Sequence, residues 1–224
     1  MVMAFFRKGD SGLESIESRI VAMLGDARHS FDLATLAVVS GADPDSVGDD
    51  IRSTDQRINT AEQELRSELV VHISVQGTSD IGTVLGYTLL IKKIERIGDQ
   101  AKNILDLAEE GVSFADAPDA GEFLEHRQVV SALFGETIEL LSHVDTDRFE
   151  DYHSRVYGLR SVYESKVREY MHSSEPASFA VPRAIFYRYL KRIVANLGGV
   201  LTSATEPLPH QDYYDDGRTD IDDD

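Results

Sequence analysis

The sequence predicts an all-α protein built from two tandem three-helix bundles. Apolar residues recur at intervals of three and four along most of the 224-residue chain, which is the spacing of amphipathic helices. Short stretches rich in Gly, Pro, Asp and Ser divide this pattern into six segments. The apolar pattern of the first three segments returns in the last three, so we expect an internal repeat. The length suffices to bury a core without crosslinks.

The first bundle is predicted from clear start and stop signals. A first helix is expected over residues 11–40, and a Gly-Ala-Asp-Pro break follows it. Asp43 is the expected N-cap of the second helix and Pro44 lies in its first turn. A third helix is expected to run from residue 81 to about residue 110, with Asp80 as its N-cap.

The second bundle is predicted from the same kind of pattern. The stretch 111–119 contains Gly, Pro, Asp and Ala and is the expected boundary between the halves. A fourth helix is expected over residues 120–143, followed by a turn near 145–147 and a fifth helix. After the break at 173–176, a last helix is expected to begin at Pro182.

These breaks predict four parts of the chain. Residues 1–10 form an apolar and then basic lead-in, residues 11–112 the first bundle, and residues 119–206 the second bundle. Residues 207–224 form an acidic tail, which has seven acids and one arginine from residue 212 onward. Few large apolar residues occur there, so we expect the tail to be disordered and dispensable for folding.

The composition limits the possible classes of function. The chain has no cysteine, so any metal must be bound by oxygen or imidazole. Its formal net charge of −18 argues against direct binding to nucleic acid or anionic lipid, because both require a positive field. Basic partner surfaces and a high-salt environment would both suit this charge. No signal peptide or membrane-spanning segment is recognisable, so a cytoplasmic location is expected.

The third helix carries the most informative pattern in the chain. Residues 94–104 read I-E-R-I-G-D-Q-A-K-N-I, in which Glu95 and Asp99 stand one turn apart at the edge of an apolar arc. Gly98 lets a neighbouring helix approach closely. Two carboxylates are too few to bind a hard cation, so a second helix should contribute ligands. By spacing alone, the pattern favours an exposed helical pair with Lys92 and Arg96 as local counter-ions, whereas the position of the pair at the edge of the core favours a binding site.

This run resembles the E/D-x-x-x-D signature of the PhoU family, the helical regulators of bacterial and archaeal phosphate uptake. Residues 55–59, which read D-Q-R-I-N, are similar to the family's D-x-x-I-N segment, and residues 79–81 resemble its S-D-L turn. The resemblance implies two tandem three-helix bundles with a divalent or trivalent metal ion, such as Fe, Mn, Mg, Ca or Zn. A solvated acidic face beside nearby arginines is the alternative interpretation of residues 55–59. The metal ligands implied are Glu95, Asp99, Asp55, Asn59 and Glu62.

The internal repeat predicts that only the first half binds metal. Laid over the third helix with an offset of 96, the last helix keeps the apolar positions but loses the acids. At this offset, a lysine stands where the first half has a metal ligand. Lys191 takes the place of Glu95, Ala195 that of Asp99 and Gly199 that of Asn103.

The resemblance implies a regulator rather than an enzyme. Such a protein would dock on a phosphate-transporter component, a sensor histidine kinase or both, damp phosphate uptake and affect transcription indirectly. Membrane contact would be peripheral and through the partners, and formation of a homodimer stays open. No Gly-rich phosphate loop, G-x-S-x-G or H-E-x-x-H motif occurs, so no catalytic residue is assigned. Two rivals stay open: a metal-storage or metal-dependent enzyme on a helical bundle, and a metal-free interaction scaffold.

Overall fold

A computed structural model describes residues 11–143 and 146–205, which form six α-helices joined by short connections and no strand. The predicted all-α fold is confirmed. The expected lead-in (residues 1–10) and the whole acidic tail (residues 207–224) lie outside the described residues. The helices are α1 (Ser11–Ser40), α2 (Pro44–Gln76), α3 (Ile81–Glu109), α4 (Ala120–Ser142), α5 (Thr146–Met171) and α6 (Ala177–Thr205).

The connection from α1 to α2 follows the sequence prediction. Gly41 has φ +70°, a conformation that favours glycine just after a helix. The Asp43 side chain then accepts a hydrogen bond of 3.1 Å from the backbone N–H of Asp45, so it caps α2. Pro44 occupies the start of the helix, where its missing N–H costs nothing.

The prediction that Asp80 caps α3 is wrong. Asp80 stands at the N-cap position, but its side chain makes no capping hydrogen bond. Asp80 is the last residue of a short 3₁₀ turn, and its backbone angles are φ −105° and ψ 12°. An N-cap residue usually has an extended backbone, so this conformation does not suit a cap. The carboxylate instead contacts Nε2 of the buried His72 at 3.0 Å, which ties the end of α2 to the start of α3.

The last helix begins earlier than the sequence predicts. It starts at Ala177, five residues before Pro182, so the proline lies inside α6. The Pro176 carbonyl accepts hydrogen bonds from the N–H groups of Phe179 and Ala180, which closes the first turn. Pro182 then removes one backbone donor near the helix start, where few bonds are lost.

The two three-helix units share one core. Helices α1, α2 and α3 contact one another, and α6 contacts both α4 and α5. The units meet where α3 lies against α6 and α1 lies against α4, and the buried apolar residues form one cluster through both. Gly199 of α6 leaves room for the buried Lys93 side chain of α3, since a methyl group there would lie 2.8 Å from its Cδ.

The connection between the units is anchored by Phe114, which is buried and stacks on Phe123 at 4.1 Å.

The same close helix contact occurs in both units and defines the structural repeat. Gly98 of α3 faces Ile58 of α2, and Gly198 of α6 faces Val156 of α5. These contacts relate α3 to α6 with an offset of 100 and α2 to α5 with an offset of 98. The first and last residues of α3 and α6 are related by the offset of 96 that the sequence predicts. The glycine contacts give an offset of 100 for the same two helices, which is about one helical turn more.

Candidate metal centre

The predicted ligands lie along one seam between α2 and α3. The two helices approach closely there, because a methyl group at Gly98 would lie 3.1 Å from Cδ1 of Ile58. Lysines from α3 divide the seam into two clusters. The predicted ligands in the seam are Asp55, Asn59 and Glu62 from α2 and Glu95 and Asp99 from α3.

The first cluster joins Glu62 and Glu95 through Lys92. The Lys92 ammonium lies 2.7 Å from Oε2 of Glu95 and 3.6 Å from Oε1 of Glu62. Arg66 approaches the same Glu62 oxygen at 2.8 Å. The Glu62 and Glu95 side chains are only 9% and 12% exposed, so both carboxylates are largely removed from water. Their charges are balanced by neighbouring cations, as burial requires.

The second cluster joins Asp55 and Asp99 through Lys102. The Lys102 ammonium lies 3.0 Å from Oδ2 of Asp55 and 3.6 Å from Oδ1 of Asp99. Asn59 donates a hydrogen bond of 3.3 Å from its amide to the same Asp55 oxygen. One ammonium group therefore balances a carboxylate from each helix.

The electrostatics of the seam leave Asp99 poorly compensated. Burial raises the pKa of the Asp99 carboxyl, and the nearby charges of Glu95 and Asp55 raise it further, while Lys102 opposes the shift. For Lys102, burial alone would lower the pKa, but the hydrogen bond to Asp55 and the charges of Asp55 and Asp99 raise it overall. Additional positive charge would therefore stabilise the ionised form of the carboxylates in the seam.

The residue types fit a hard cation, but the lysines hold the carboxylates apart. Carboxylate and amide oxygens are the ligands that Mg²⁺, Ca²⁺ and similar ions prefer. Among the described residues, no group of three or more metal-binding side chains is arranged to hold an ion. A cation would have to compete with the ammonium groups of Lys92 and Lys102. The structure thus brings the predicted ligands to one seam, and their role as metal ligands stays a prediction.

Sequence reasoning missed the bridging role of Lys102. Its spacing of three from Asp99 was a usable signal, since such pairs are neighbours on a helix. Its contact with Asp55 depends on how α2 and α3 rotate against each other, and no local pattern reports that. In the second unit, Lys191 of α6 contacts the carboxylate of Glu164 on α5.

A second surface feature lies near the start of α3. Ile81, Leu85 and Leu89 recur every four residues and are 46%, 47% and 38% exposed. This spacing places them in one row along the helix, which we call the apolar stripe. The stripe leads towards the seam, because Lys92 follows Leu89 by three residues. None of the described helices is long and apolar enough to cross a membrane.

The fold and the seam define a class of protein: paired three-helix units that carry a carboxylate-rich seam in the first unit. Residues 20–108, which contain most of α1 and nearly all of α3, match the family model of the PhoU domain. The resemblance to the PhoU family stated from the sequence is confirmed, and the match to the PhoU domain lies in the first three-helix unit.

Two solved structures have the same fold. The chain is similar to PhoU from Pseudomonas aeruginosa, with a TM-score of 0.68 and 22% identity over 87% of this chain and 95% of that one. It is also similar to the phosphate transport system regulatory protein PhoU from Streptococcus pneumoniae, with a TM-score of 0.72 and 12% identity over 86% and 92% of the two chains. No curated protein matches the sequence.

Proposed function

We propose that this protein is a non-enzymatic regulator of phosphate transport and phosphate-starvation signalling. The observation that carries the proposal is the PhoU domain over residues 20–108, set in a fold that extends over most of both solved PhoU chains. One of those proteins is described as a regulator of a phosphate transport system. A regulator of this kind acts by binding a partner, so its function depends on surfaces.

The apolar stripe is the surface we propose for docking. Single exposed apolar residues are ordinary on protein surfaces, but a row of three on one helix is typical of an interaction site. The proposed partner is a phosphate-transporter component or a sensor kinase with an apolar groove bordered by basic groups. The net charge of −18 would favour encounter with such a surface. Any contact with the membrane would be made through this partner.

We also propose that a divalent or trivalent cation binds the seam between α2 and α3. Glu95, Asp99 and Asp55 would hold the ion, with Asn59 and Glu62 as neighbours. The raised pKa of Asp99 supports this proposal. Burial is the main cause of the shift and the charges of Glu95 and Asp55 add to it, so a bound cation would stabilise the ionised carboxylate. The ion would supply positive charge and stiffen the contact between the two helices.

A deletion strain tests the regulatory role. In cells that lack the protein and grow with plentiful phosphate, starvation genes should stay on or phosphate uptake should go unrestrained. Reintroducing the wild-type chain should restore control. Normal repression and uptake in the deletion strain would end the proposal.

Variants of the stripe test the docking surface in the same strain. The pair Leu85→Gln and Leu89→Gln should fold normally and fail to restore control, because the partner loses its apolar contact. The matched control is Leu124→Gln with Val129→Gln on α4, since those side chains are 40% and 38% exposed. Equal restoration by both pairs would remove the stripe from the docking surface.

A further inference from the structure

The fifth helix is attached to its two neighbours in different ways. It packs closely along α6, whereas in the described part of the chain its contacts with α4 are made by long side chains that bridge the two helices. A change in one bridge can therefore move α5 relative to α4 while the contact with α6 is kept. The bridges join Lys166 to Glu122, Tyr152 to Thr137, Arg155 to Glu136 and Arg148 to Glu139.

Glu122 near the start of α4 links three helices through one carboxylate oxygen. Its Oε1 accepts a hydrogen bond of 3.0 Å from the Tyr187 hydroxyl on α6 and lies 2.7 Å from the Lys166 ammonium on α5. Burial alone would raise the pKa of Glu122, but the hydrogen bonds from Lys166 and Tyr187 lower it overall. The carboxylate is therefore ionised at neutral pH.

His126 lies one turn further along α4 and faces the same oxygen. Its Nε2 is 3.6 Å from Oε1 of Glu122, and its side chain is 16% exposed. The ring makes edge contacts with Tyr163 on α5 and Tyr187 on α6, with centroid distances of 5.2 and 5.4 Å. The imidazole is therefore fixed in the space between the three helices, beside the carboxylate that joins them.

The charge on His126 changes between neutral and mildly acidic pH. Burial lowers the pKa of the imidazole, while Glu122 opposes the shift, so the ring is neutral at pH 7 and takes up a proton in the acid range. The phenols of Tyr163 and Tyr187 stay neutral, because burial raises the pKa of both. The charged groups that face the ring are Glu122 and Glu125 on α4 and Lys166 on α5.

Protonation would set His126 against Lys166. A protonated imidazole donates from Nε2, but the carboxylate oxygen beside it already binds the Lys166 ammonium. Two cations on one half-buried oxygen repel each other, so one of them has to leave. Lys166 has a second acid within reach, because its ammonium lies 3.6 Å from Oε2 of Glu169 on the same helix. The imidazole lacks this freedom, since two tyrosine rings hold it in place.

We propose that His126 is an acid-sensitive switch in the second unit. When the imidazole is protonated, it takes the Glu122 carboxylate from Lys166, and the ammonium turns to Glu169 and to solvent. The bridge between α4 and α5 then opens at this end, and α5 stays attached through α6. The inference goes beyond the proposed function, because it assigns a response to acid that depends neither on the apolar stripe nor on a metal ion.

Hydrogen exchange of the purified full chain tests the switch. The amides of residues 157–168 on α5 are followed at about pH 7.5 and about pH 5.5, with correction for the intrinsic exchange rates. Acidification should speed up their exchange by up to about tenfold, because pH 5.5 lies about one unit below the ordinary histidine pKa of about 6.5. The loss of the bridge lowers the free energy of local unfolding of α5.

Three variants assign the effect to His126 and its bridge. His126→Gln places an amide there that does not titrate, so the response of α5 to acid should be lost. Lys166→Met removes the competing cation, so α5 should exchange faster already at neutral pH and should not open further in acid. His29→Gln is the matched control, because His29 pairs with Asp50 on the exposed surface of the first unit. In that variant α5 should keep its full response.

Titration of the imidazole by NMR gives an independent measurement. The pKa of His126 should lie below its ordinary value in the wild type and rise in Lys166→Met, because the ring then shares Glu122 with no ammonium group. Three results would overturn the proposal: equal responses to acid in wild type and His126→Gln, a full response in Lys166→Met, or a wild-type His126 pKa at or above its ordinary value. The wild-type titration decides even if a variant fails to fold. Phosphate control in cells is a separate measurement, so failure there with an intact switch would remove only the proposed function.

Discussion

Arg183 on α6 donates two hydrogen bonds, each 2.8 Å long, to the two carboxylate oxygens of Asp119 at the start of α4. The guanidinium also lies 3.6 Å from the centre of the Phe179 ring and is only 7% exposed. This hydrogen bonding holds the pKa of Asp119 below its ordinary value. The bidentate pair therefore clamps the end of the connection between the units onto the last helix.

Breaking this pair should destabilise the fold strongly. Arg183→Gln leaves the Asp119 carboxylate without its main partner, so we expect a loss of about 3 kcal/mol in the free energy of unfolding. Arg148→Gln is the control, because Arg148 makes a comparable paired contact with Glu139 on the exposed surface. Its urea midpoint should change little. Similar midpoints for both variants would show that the clamp adds no more than a surface pair.

The same pair should leave a signature in the pH dependence of stability. A carboxyl group with a lowered folded-state pKa contributes stability above its unfolded pKa of about 3.9, and that contribution is lost as the pH falls through the folded value. The stability difference between wild type and Asp119→Asn should therefore be constant near neutral pH and shrink below about pH 4. Urea unfolding at a series of pH values measures it, and a difference that grows in acid would contradict the assignment.

The contact of Gly198 with Val156 should resist substitution. A methyl group at Gly198 would lie 2.8 Å from Cγ1 of the branched Val156 side chain. Gly198→Ala should therefore lower the free energy of unfolding by about 1–2 kcal/mol, even though alanine has the higher helix propensity. Gly158→Ala on α5 is the control, because no atom lies within 4 Å of its added methyl group. Gly158→Ala should raise the free energy of unfolding by up to about 1 kcal/mol, because alanine favours the helix more than glycine does. Thermal melts of the two proteins should shift in opposite directions.

Metal content should depend on the seam of the first unit. We expect wild-type protein purified without chelator to carry metal and Glu95→Gln/Asp99→Asn to carry much less, because half of the seam carboxylates become neutral in that variant. Glu64→Gln/Glu68→Gln is the matched control, since those acids are also one turn apart but contact Arg19 on another side of α2. Lys102→Met should increase occupancy by removing a competing cation. Equal metal in all four proteins, wild type included, would withdraw the ligand assignment.

The sequence predicted the features that are local along the chain. The period of the apolar residues and the break at residues 41–44 predicted α1, the Asp43 cap and the start of α2. The edge-of-core position of Glu95 predicted its place on a seam. Each of these depends on neighbours within about one or two helical turns.

The failures concern pairs that are distant in the sequence or that compete with a local signal. Asp80 looked like a helix cap, but the approach of His72 from α2 gives its carboxylate a different partner. Arg183 and Asp119 are separated by 64 residues and carry no mutual pattern. Proline is favoured in the first turn of a helix, so Pro182 was expected to begin α6. The helix instead begins at Ala177 and contains Pro182 in its second turn. Only the three-dimensional arrangement decides such cases.

The shared core has a consequence for how the molecule unfolds. Because the buried apolar residues of α3 and α6 belong to one cluster, the two halves should lose structure together in a single cooperative transition. Calorimetric and van't Hoff enthalpies should then agree for the whole chain. A chain cut after residue 112 would expose the face of α3 that α6 normally covers, and we expect it to self-associate or to melt without a sharp transition.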